Sequence, residues 1–179
     1  MDREVLVHVD LDGTPNLVGR RASFPAVLWE AVARTLADRA GIIVPDARIE
    51  TIAGRAVLLV RRFDRRRRTR LPYLSAMSML GARDNQTRSY LEIVDALRQH
   101  GAAAKGDIQA LWRRVVFNIL ISNSDDHLRN HGFLYESANG WRLAPAYDLN
   151  PTPTDVKPRI LSTAAAESGS AGCLQYHQQ

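Results

Sequence analysis

The stretch DIQALWRRVVFNILIS, Asp107 to Ser122, constrains the fold more than any other part of the chain. Ile108, Leu111, Trp112, Val115, Val116, Ile119 and Leu120 recur at i, i+3, i+4, i+7, i+8, i+11 and i+12. That is the spacing of one wide apolar face on an α-helix. Such a face must be buried, so a second layer is expected against it. The helix runs straight into NSDDHLRNHGF, Asn123 to Phe133. Three ionisable side chains, Asp125, Asp126 and His127, stand in a row there, beside Asn123, Asn130 and His131. So dense a polar loop at the mouth of a core marks a place where something binds.

The rest of the chain mixes strand and helix signals. EVLVHVDLDGTPNLVG reads as a strand, a turn and a short strand back. SFPAVLWEAVARTLADRAG reads as a helix with Ser23 as cap, Pro25 in its first turn, Leu28, Val32 and Leu36 on one stripe, and Gly41 as its stop. ARIETIAGRAVLLVRRF is two strands joined at Ala53-Gly54. Its apolar run AVLLV has the pattern of an inner strand. That hairpin needs more sheet, and the strand at Val5 to Val9 is available to pair with it. LPYLSAMSMLG and TRSYLEIVDALRQHG read as two helices. GFLYE and WRLAP read as two short strands around a turn at Asn139-Gly140. AYDLNPTPTDVKP follows as a Pro-rich loop. From Ser162 to Gln179 the tail carries one charged residue, Glu167, and is expected to be disordered. No internal repeat is visible, and the mixture predicts an α+β fold.

With 179 residues the chain is one domain, or one domain plus a tail. Its 45% hydrophobic content suffices for a core. No run reaches the roughly 18 apolar residues of a membrane span, and MDREVLVHVDLDGTP is not a signal peptide. The single cysteine, Cys173, excludes an internal disulfide. Together these predict a cytoplasmic protein with no membrane partner. The net charge of +5 is concentrated in RRFDRRRRTR, Arg61 to Arg70, which alone carries +6 and leaves −1 for the remainder. One local run of this kind is usually a solvated loop, although it keeps a nucleic-acid-binding module open as a reading.

The polar loops carry the chemistry. Asn130 follows Asp125 by five residues, and Asp148 follows Asn130 by eighteen. A hairpin between the two loops would let Asp125, Asn130 and Asp148 converge. Hard oxygen donors of this kind suit Mg²⁺, which takes one or two carboxylates and completes its shell with water and phosphate oxygens. The spacing D-x-x-x-x-N followed by a later Asp divides the work of phosphoryl transfer into base and metal ligands. Alternatively, Asp125 or Asp126 satisfies backbone donors at the helix end, which is the preferred reading for Asp126. His127 and His131 stand at i, i+4, but no Glu lies between them and no third zinc ligand is evident. No Ser or Cys motif accompanies His127 as a nucleophile's base.

FNILISNSDDHLRNHGFLY followed by WRLAPAYDLNPTP closely resembles the catalytic segment of the HipA-type toxin kinases, bacterial serine/threonine kinases of toxin–antitoxin modules. LADRAGIIVPDARIETIAGRAVLLVRRFDRR resembles the same family's hinge region, and VLVHVDLDGTPNLVGR its beginning. The matching pieces cover most of Met1 to about Pro158. The resemblance implies a protein-kinase-like fold, mainly the start of the helical lobe with a reduced small-lobe sheet. It divides the chain into a remnant of the family's beginning at 1–21, a partial kinase domain at 22–161 and the tail at 162–179. It implies Asp125 as catalytic base. It implies His127, Leu128, Arg129 and Asn130 as nucleotide and metal contacts, with Asn130 a Mg²⁺ ligand. Tyr147 and Asp148 align with the later site, Asp148 being the second metal ligand. Arg61, Arg62 and Phe63 align with the hinge that holds adenine through backbone groups. The family commonly has Lys where this chain has Arg129, a change that keeps charge but alters fork geometry. ATP and Mg²⁺ as cofactors, a protein substrate, a HipB-like antitoxin as partner and DNA reached through that antitoxin follow from the same resemblance.

The chain also departs from that pattern. The family places a glycine-rich, serine-bearing loop over the phosphates and then a strand lysine that grips them. Here LVGRRASFPAVLWEA passes from the N-terminal beginning directly into the helix before the hinge. The two lysines, Lys105 and Lys157, lie elsewhere in the pattern. The resemblance therefore implies an internally deleted and C-terminally truncated relative. Loop amides and lysine supply charge neutralisation and positioning, so a weak or inactive kinase is expected. An antitoxin-binding, pseudokinase-like remnant is the alternative.

Overall fold

In the computed structural model the described residues are 5–9, 26–66, 69–83, 86, 88–151 and 161–162. The return strand after DGTPN, the cap at Ser23, the loop beyond Pro151 and the tail beyond Ser162 fall outside them. The elements run β1 (Val5–Val9), α1 (Ala26–Arg39), β2 (Ala47–Ile52), β3 (Arg55–Arg61), β4 (Arg65–Arg66), β5 (Thr69–Arg70), β6 (Tyr73–Ser75) and α2 (Ala76–Met79). They continue with β7 (Arg88–Ser89), α3 (Tyr90–His100), α4 (Ala104–Leu120), a 3₁₀ turn at Leu128–Asn130, β8 (Gly132–Ser137), β9 (Gly140–Leu143) and β10 (Leu161–Ser162). The mixed helix-and-strand class expected from the sequence is the one observed.

The first sheet has the order β1-β3-β2, antiparallel throughout, with Val7 opposite Leu59 and Ile49 opposite Leu58. The apolar strand β3 is thus the inner one, and β1 takes the free edge. Ala53 and Gly54 close the β2–β3 turn with φ of 50° and 78°. Two successive left-handed residues match the right-handed twist of the flanking strands. A second sheet, β6-β8-β9, lies under the polar loops. Its β8–β9 turn falls on Ala138 and Asn139, one residue before the expected position, with Gly140 opposite Ser137. LPYLSAMSMLG is only partly helical. Tyr73–Ser75 pairs with β8, and just four residues form α2. Pairing with an exposed sheet edge outweighs the weak helical preference of so short a segment. TRSYLEIVDALRQHG forms α3, opened by a capping box in which Glu92 accepts from the Ser89 amide at 2.8 Å.

The long helix α4 stands between two hydrophobic clusters. Leu111 joins Ala76, Tyr90, Ile93, Leu97, Leu128 and Phe133. Phe117 joins Ala33, Ala37, Ile42, Ala146 and Leu149. The expected buried face of α4 needs correction. Its buried residues are Asp107, Leu111, Arg114, Phe117 and Asn118, whereas Trp112 and Leu120 are 68% and 77% exposed. Sequence spacing identified the helix, but two apolar sides compete for the core. Placement of α1, α3 and the loop after α4 decides which one wins. The same holds for α1. Val32 and Leu36 of its stripe are exposed, while Val27, Ala33 and Ala37 face inward. Among the described residues no helix is long and apolar enough to cross a membrane.

Candidate active site

The loop after α4 is tied to the helix it leaves. Ser122 takes a left-handed φ of 55°, which turns the chain back, and the Asn123 amide then donates to the Asn118 carbonyl at 2.9 Å. The two aspartates separate at once. Asp125 is exposed, and its carboxylate has no partner among the described residues. Asp126 is 4% exposed and faces the core. The Tyr90 hydroxyl and the Asn118 amide donate to its Oδ2 at 2.5 and 2.8 Å, and His131 Nε2 lies 3.0 Å from Oδ1. The backbone-satisfying role expected of Asp126 is therefore replaced by side-chain partners on α3, on α4 and at the end of its own loop. Burial pushes the Asp126 carboxyl up, but the His131 charge and the hydrogen bonds outweigh it, and the net direction is down.

The 3₁₀ turn sets the next residues. Leu128 is spent on the core, so only its backbone remains for a ligand. Asn130 is buried and donates Nδ2 to the Asp125 carbonyl at 3.2 Å. That bond fixes the two residues relative to each other and leaves the Asn130 amide oxygen as the ligand end. His127 is half-buried, with Nδ1 unpartnered among the described residues, and Arg129 is exposed. His131 is fully buried against Asp126. No three His, Cys, Asp or Glu side chains cluster as a metal site among the described residues.

The β8–β9 hairpin carries the chain to the second loop, and aromatic side chains join it to the first. The Tyr147 hydroxyl donates to the Arg129 carbonyl at 2.6 Å. Its single proton is thereby used, so Tyr73, 2.5 Å away, is the donor to the Tyr147 oxygen. Burial raises the pKa of both phenols, which keeps this hydroxyl relay protonated. Phe63 stacks on Tyr147 at 5.5 Å and lies tilted against Tyr73 at 6.1 Å. Gly132 has a specific place here, because a Cβ would meet the Tyr73 ring at 2.4 Å. Asp148 adopts a left-handed φ of 56°, tolerated by aspartate more readily than by most residues. Its Oδ1 accepts from Asn150 at 2.6 Å, and Oδ2 has no partner among the described residues. An amide oxygen and a carboxylate oxygen are hard donors that fit Mg²⁺.

Arg61 and Arg62, expected at the hinge, engage their side chains in ion pairs. Arg61 meets Asp46 at 3.2 Å on the surface. Arg62 forks onto Asp64 at 2.8 and 2.6 Å, and Arg65 shares the same carboxylate at 2.7 Å. The hydrogen bond from Arg62 holds the Asp64 carboxyl below its usual range. Three arginines of the run are thus engaged within the fold, sharing the two carboxylates of Asp46 and Asp64.

The structure joins Phe63, Tyr147, Arg129, Asn130 and Asp125 through successive contacts, while the side chains of Arg61, Arg62 and Leu128 are committed elsewhere. Sequence reasoning missed Tyr73, Tyr90, Asn118, Gly132 and the role of His131. The one available signal was a polar Asn118 inside an apolar helix. Beneath the site, Arg114 is buried and donates to the Ala144 carbonyl at 2.7 Å, with its pKa lowered by burial to about 10.

Known proteins resemble this chain in sequence and in fold. A model of the HipA-like C-terminal domain matches residues 9–175. A Haemophilus influenzae protein named "Putative kinase" is 32% identical over 97 residues, spanning 51% of this chain and 28% of its own. The Sinorhizobium fredii protein "Putative kinase Y4mE" is 28% identical over 154 residues, 78% of this chain and 36% of its own. The chain thus spans about a third of the length of these relatives. A Shewanella oneidensis MR-1 HipA, solved with HipB and its operator DNA, superposes with a TM-score of 0.62 at 23% identity, over 70% of this chain and 34% of that one. The Helicobacter pylori proinflammatory kinase CtkA gives 0.63 at 18% identity, over 83% and 51%. At these identities the two structures establish a shared fold.

Proposed function

The chain belongs to the HipA-like C-terminal domain family, and on that premise we propose that it is a serine/threonine protein kinase by descent, keeping the base-and-metal half of a phosphoryl-transfer site and transferring weakly. The observation that carries this reading is the linkage of Phe63 to Tyr147, of Tyr147 to Arg129, and of Asn130 to Asp125. It gathers a hinge segment, a D-x-x-x-x-N loop and the Asp148 loop into one place.

In the proposed reaction Asp125, exposed and with no carboxylate partner among the described residues, accepts the proton of a substrate hydroxyl. The freed oxygen attacks the γ-phosphorus of ATP, the bond to the β,γ-bridging oxygen breaks, and ADP leaves. Asn130 and Asp148 would hold Mg²⁺, which when bound neutralises phosphate charge. Phe63 and its neighbours would border the adenine, with Leu128 contributing backbone only. His127 and Arg129 stand beside the phosphates in this reading. The sequence supplies neither a glycine-rich phosphate loop nor a strand lysine, and Lys105 sits exposed in the first turn of α4. Transfer is slow on that account, because positioned donors on the phosphates supply much of such an enzyme's rate.

The Shewanella likeness supports a toxin role with a HipB-like antitoxin as partner, and DNA reached through that partner. Direct DNA binding by the arginine run is less favoured, since Arg61, Arg62 and Arg65 already pair with Asp46 and Asp64. The test is a calorimetric titration with ATP, with and without Mg²⁺, on the wild type and Asp148→Ala. Mg²⁺-dependent heat that disappears in the variant is the expected result. Absence of heat at millimolar ATP, or heat unchanged by the substitution, would refute the reading. It would leave an antitoxin-binding remnant as the better account.

A further inference from the structure

The two adjacent aspartates face opposite ways, and the inward one has no part in the proposed transfer. Asp126 receives donors from two helices and from its own loop: Tyr90 at the start of α3, Asn118 near the end of α4, and His131 at the loop's far end just before β8. Asn118 is itself held from the other side, because the Asn123 side chain donates to its Oδ1 at 3.5 Å while the Asn123 amide donates to its carbonyl. Tyr90 also meets the His131 ring edge-on at 5.6 Å. The Asp126 carboxylate is thus the side-chain anchor that ties the loop between Asn123 and His131 to both α3 and α4. Asp125 is its immediate neighbour, and Asn130 precedes one of its donors.

We propose that Asp126 is the positioning residue of the candidate site, its buried carboxylate fixing the backbone of the loop that presents Asp125 outward and Asn130 inward. A buried charged group is a poor source of net stability, since apolar packing of the same volume often does as well. What it adds is direction. Oδ2 admits Tyr90 and Asn118 together in one arrangement of α3, α4 and loop. An aliphatic side chain would tolerate many. The partners are also specific to the loop, because Tyr90 and Leu128 share a core cluster while Asn118 and Asn123 are each about 1% exposed. Asp126 touches no substrate in this arrangement and acts through Asp125 and Asn130. The inference rests on the kinase reading only for its consequence on transfer, and the anchoring itself can be read without any activity.

The experiment combines amide hydrogen exchange on the free protein with transfer kinetics and ATP titration, for wild type, Asp126→Asn and Tyr90→Phe. Asparagine keeps the size of the side chain but replaces one carboxylate oxygen by an NH₂ group, so either His131 or the Tyr90–Asn118 pair loses its acceptor, and the charge is lost in both cases. The Asn123 and Asn130 amides, bonded to the Asn118 and His127 carbonyls, should exchange about tenfold faster in Asp126→Asn, with β2–β3 amides within about twofold of wild type. kcat should fall about 100-fold while the dissociation constant for ATP-Mg²⁺ stays within about twofold, the pattern of a displaced base rather than a lost pocket. Tyr90→Phe should show the same pattern at smaller amplitude, and it carries the test if Asp126→Asn does not fold. If the wild type transfers no phosphate but loop exchange still rises locally, the kinase reading fails and the anchor stands. Unchanged loop exchange, a uniform rise over the whole chain, or an unchanged kcat in an active enzyme with a loosened loop would each overturn the proposal.

Discussion

Gly132→Ala is the sharpest probe of how the site is assembled. A Cβ there would lie 2.4 Å from Tyr73 Cε2, 2.9 Å from its hydroxyl and 3.0 Å from Cζ. Carbon atoms in contact sit about 3.5–4.0 Å apart, so the ring must swing away. Doing so forfeits the hydrogen bond to Tyr147, worth about 1 kcal/mol. It also loosens the contact with Phe63, worth about 0.5–1 kcal/mol. The sum, about 1.5–2 kcal/mol, corresponds to a fall in melting temperature of about 5 °C for a chain of this size. The decisive assay is a urea-denaturation double-mutant cycle with Tyr73→Ala. Removing the ring removes the three atoms nearest to the added methyl, all of them Tyr73's, so Gly132→Ala should cost little in that background. A coupling energy of about 1.5 kcal/mol is expected. Costs that add to within about 0.5 kcal/mol would refute the reasoning, because the damage would then come from the β8 backbone rather than from Tyr73.

Three further outcomes test the fold and its electrostatics. Leu111→Ala should cost about 2–5 kcal/mol by chemical denaturation, whereas Trp112→Gln, one residue along the same helix, should stay within about 0.5 kcal/mol; the reverse order would put the wrong face of α4 inward. Asp107 accepts from Arg142 at 2.9 and 3.1 Å and from the Leu143 amide at 3.1 Å, tying the start of α4 to β9. Asp107→Ala should destabilise by about 2 kcal/mol, moderated by the 41% exposure of the Arg142 side chain, and a loss under about 0.5 kcal/mol would show that the pair is idle. The folded-state pKa of Asp64 lies below its ordinary value because of Arg62, so its contribution is present above the unfolded carboxylate range and is lost as pH falls through the folded value. Thermal melts should therefore show the wild type losing stability below about pH 4 more steeply than Asp64→Asn, and parallel curves would remove the Arg62–Asp64–Arg65 cluster as the cause.

Local chemistry determined a good deal of this protein. The two-residue spacing at Ala53-Gly54 between strand-like runs pointed to a hairpin, which the fold closes with two left-handed residues. AVLLV dictated an inner strand because a continuous apolar run must be covered on both faces. The helices α3 and α4 followed from their period, and the spacing of Asp125, Asn130, Tyr147 and Asp148, with the segments around them, was enough to point to the family. All of these depend on residues near one another in the chain, where sequence spacing translates directly into space. Other features depend on contacts that no local pattern encodes. Which side of α4 is buried was decided by where α1 and α3 pack, so Trp112 and Leu120 turned outward despite their place in the stripe. Tyr73 became a strand residue because the edge of β8 was there to receive it, and it reached Tyr147 across 74 positions of chain. Asp125 and Asp126 are chemically identical neighbours in the sequence. The outward one has no carboxylate partner among the described residues, and the inward one met Tyr90, Asn118 and His131, because the tertiary structure put solvent on one side of the loop and three donors on the other.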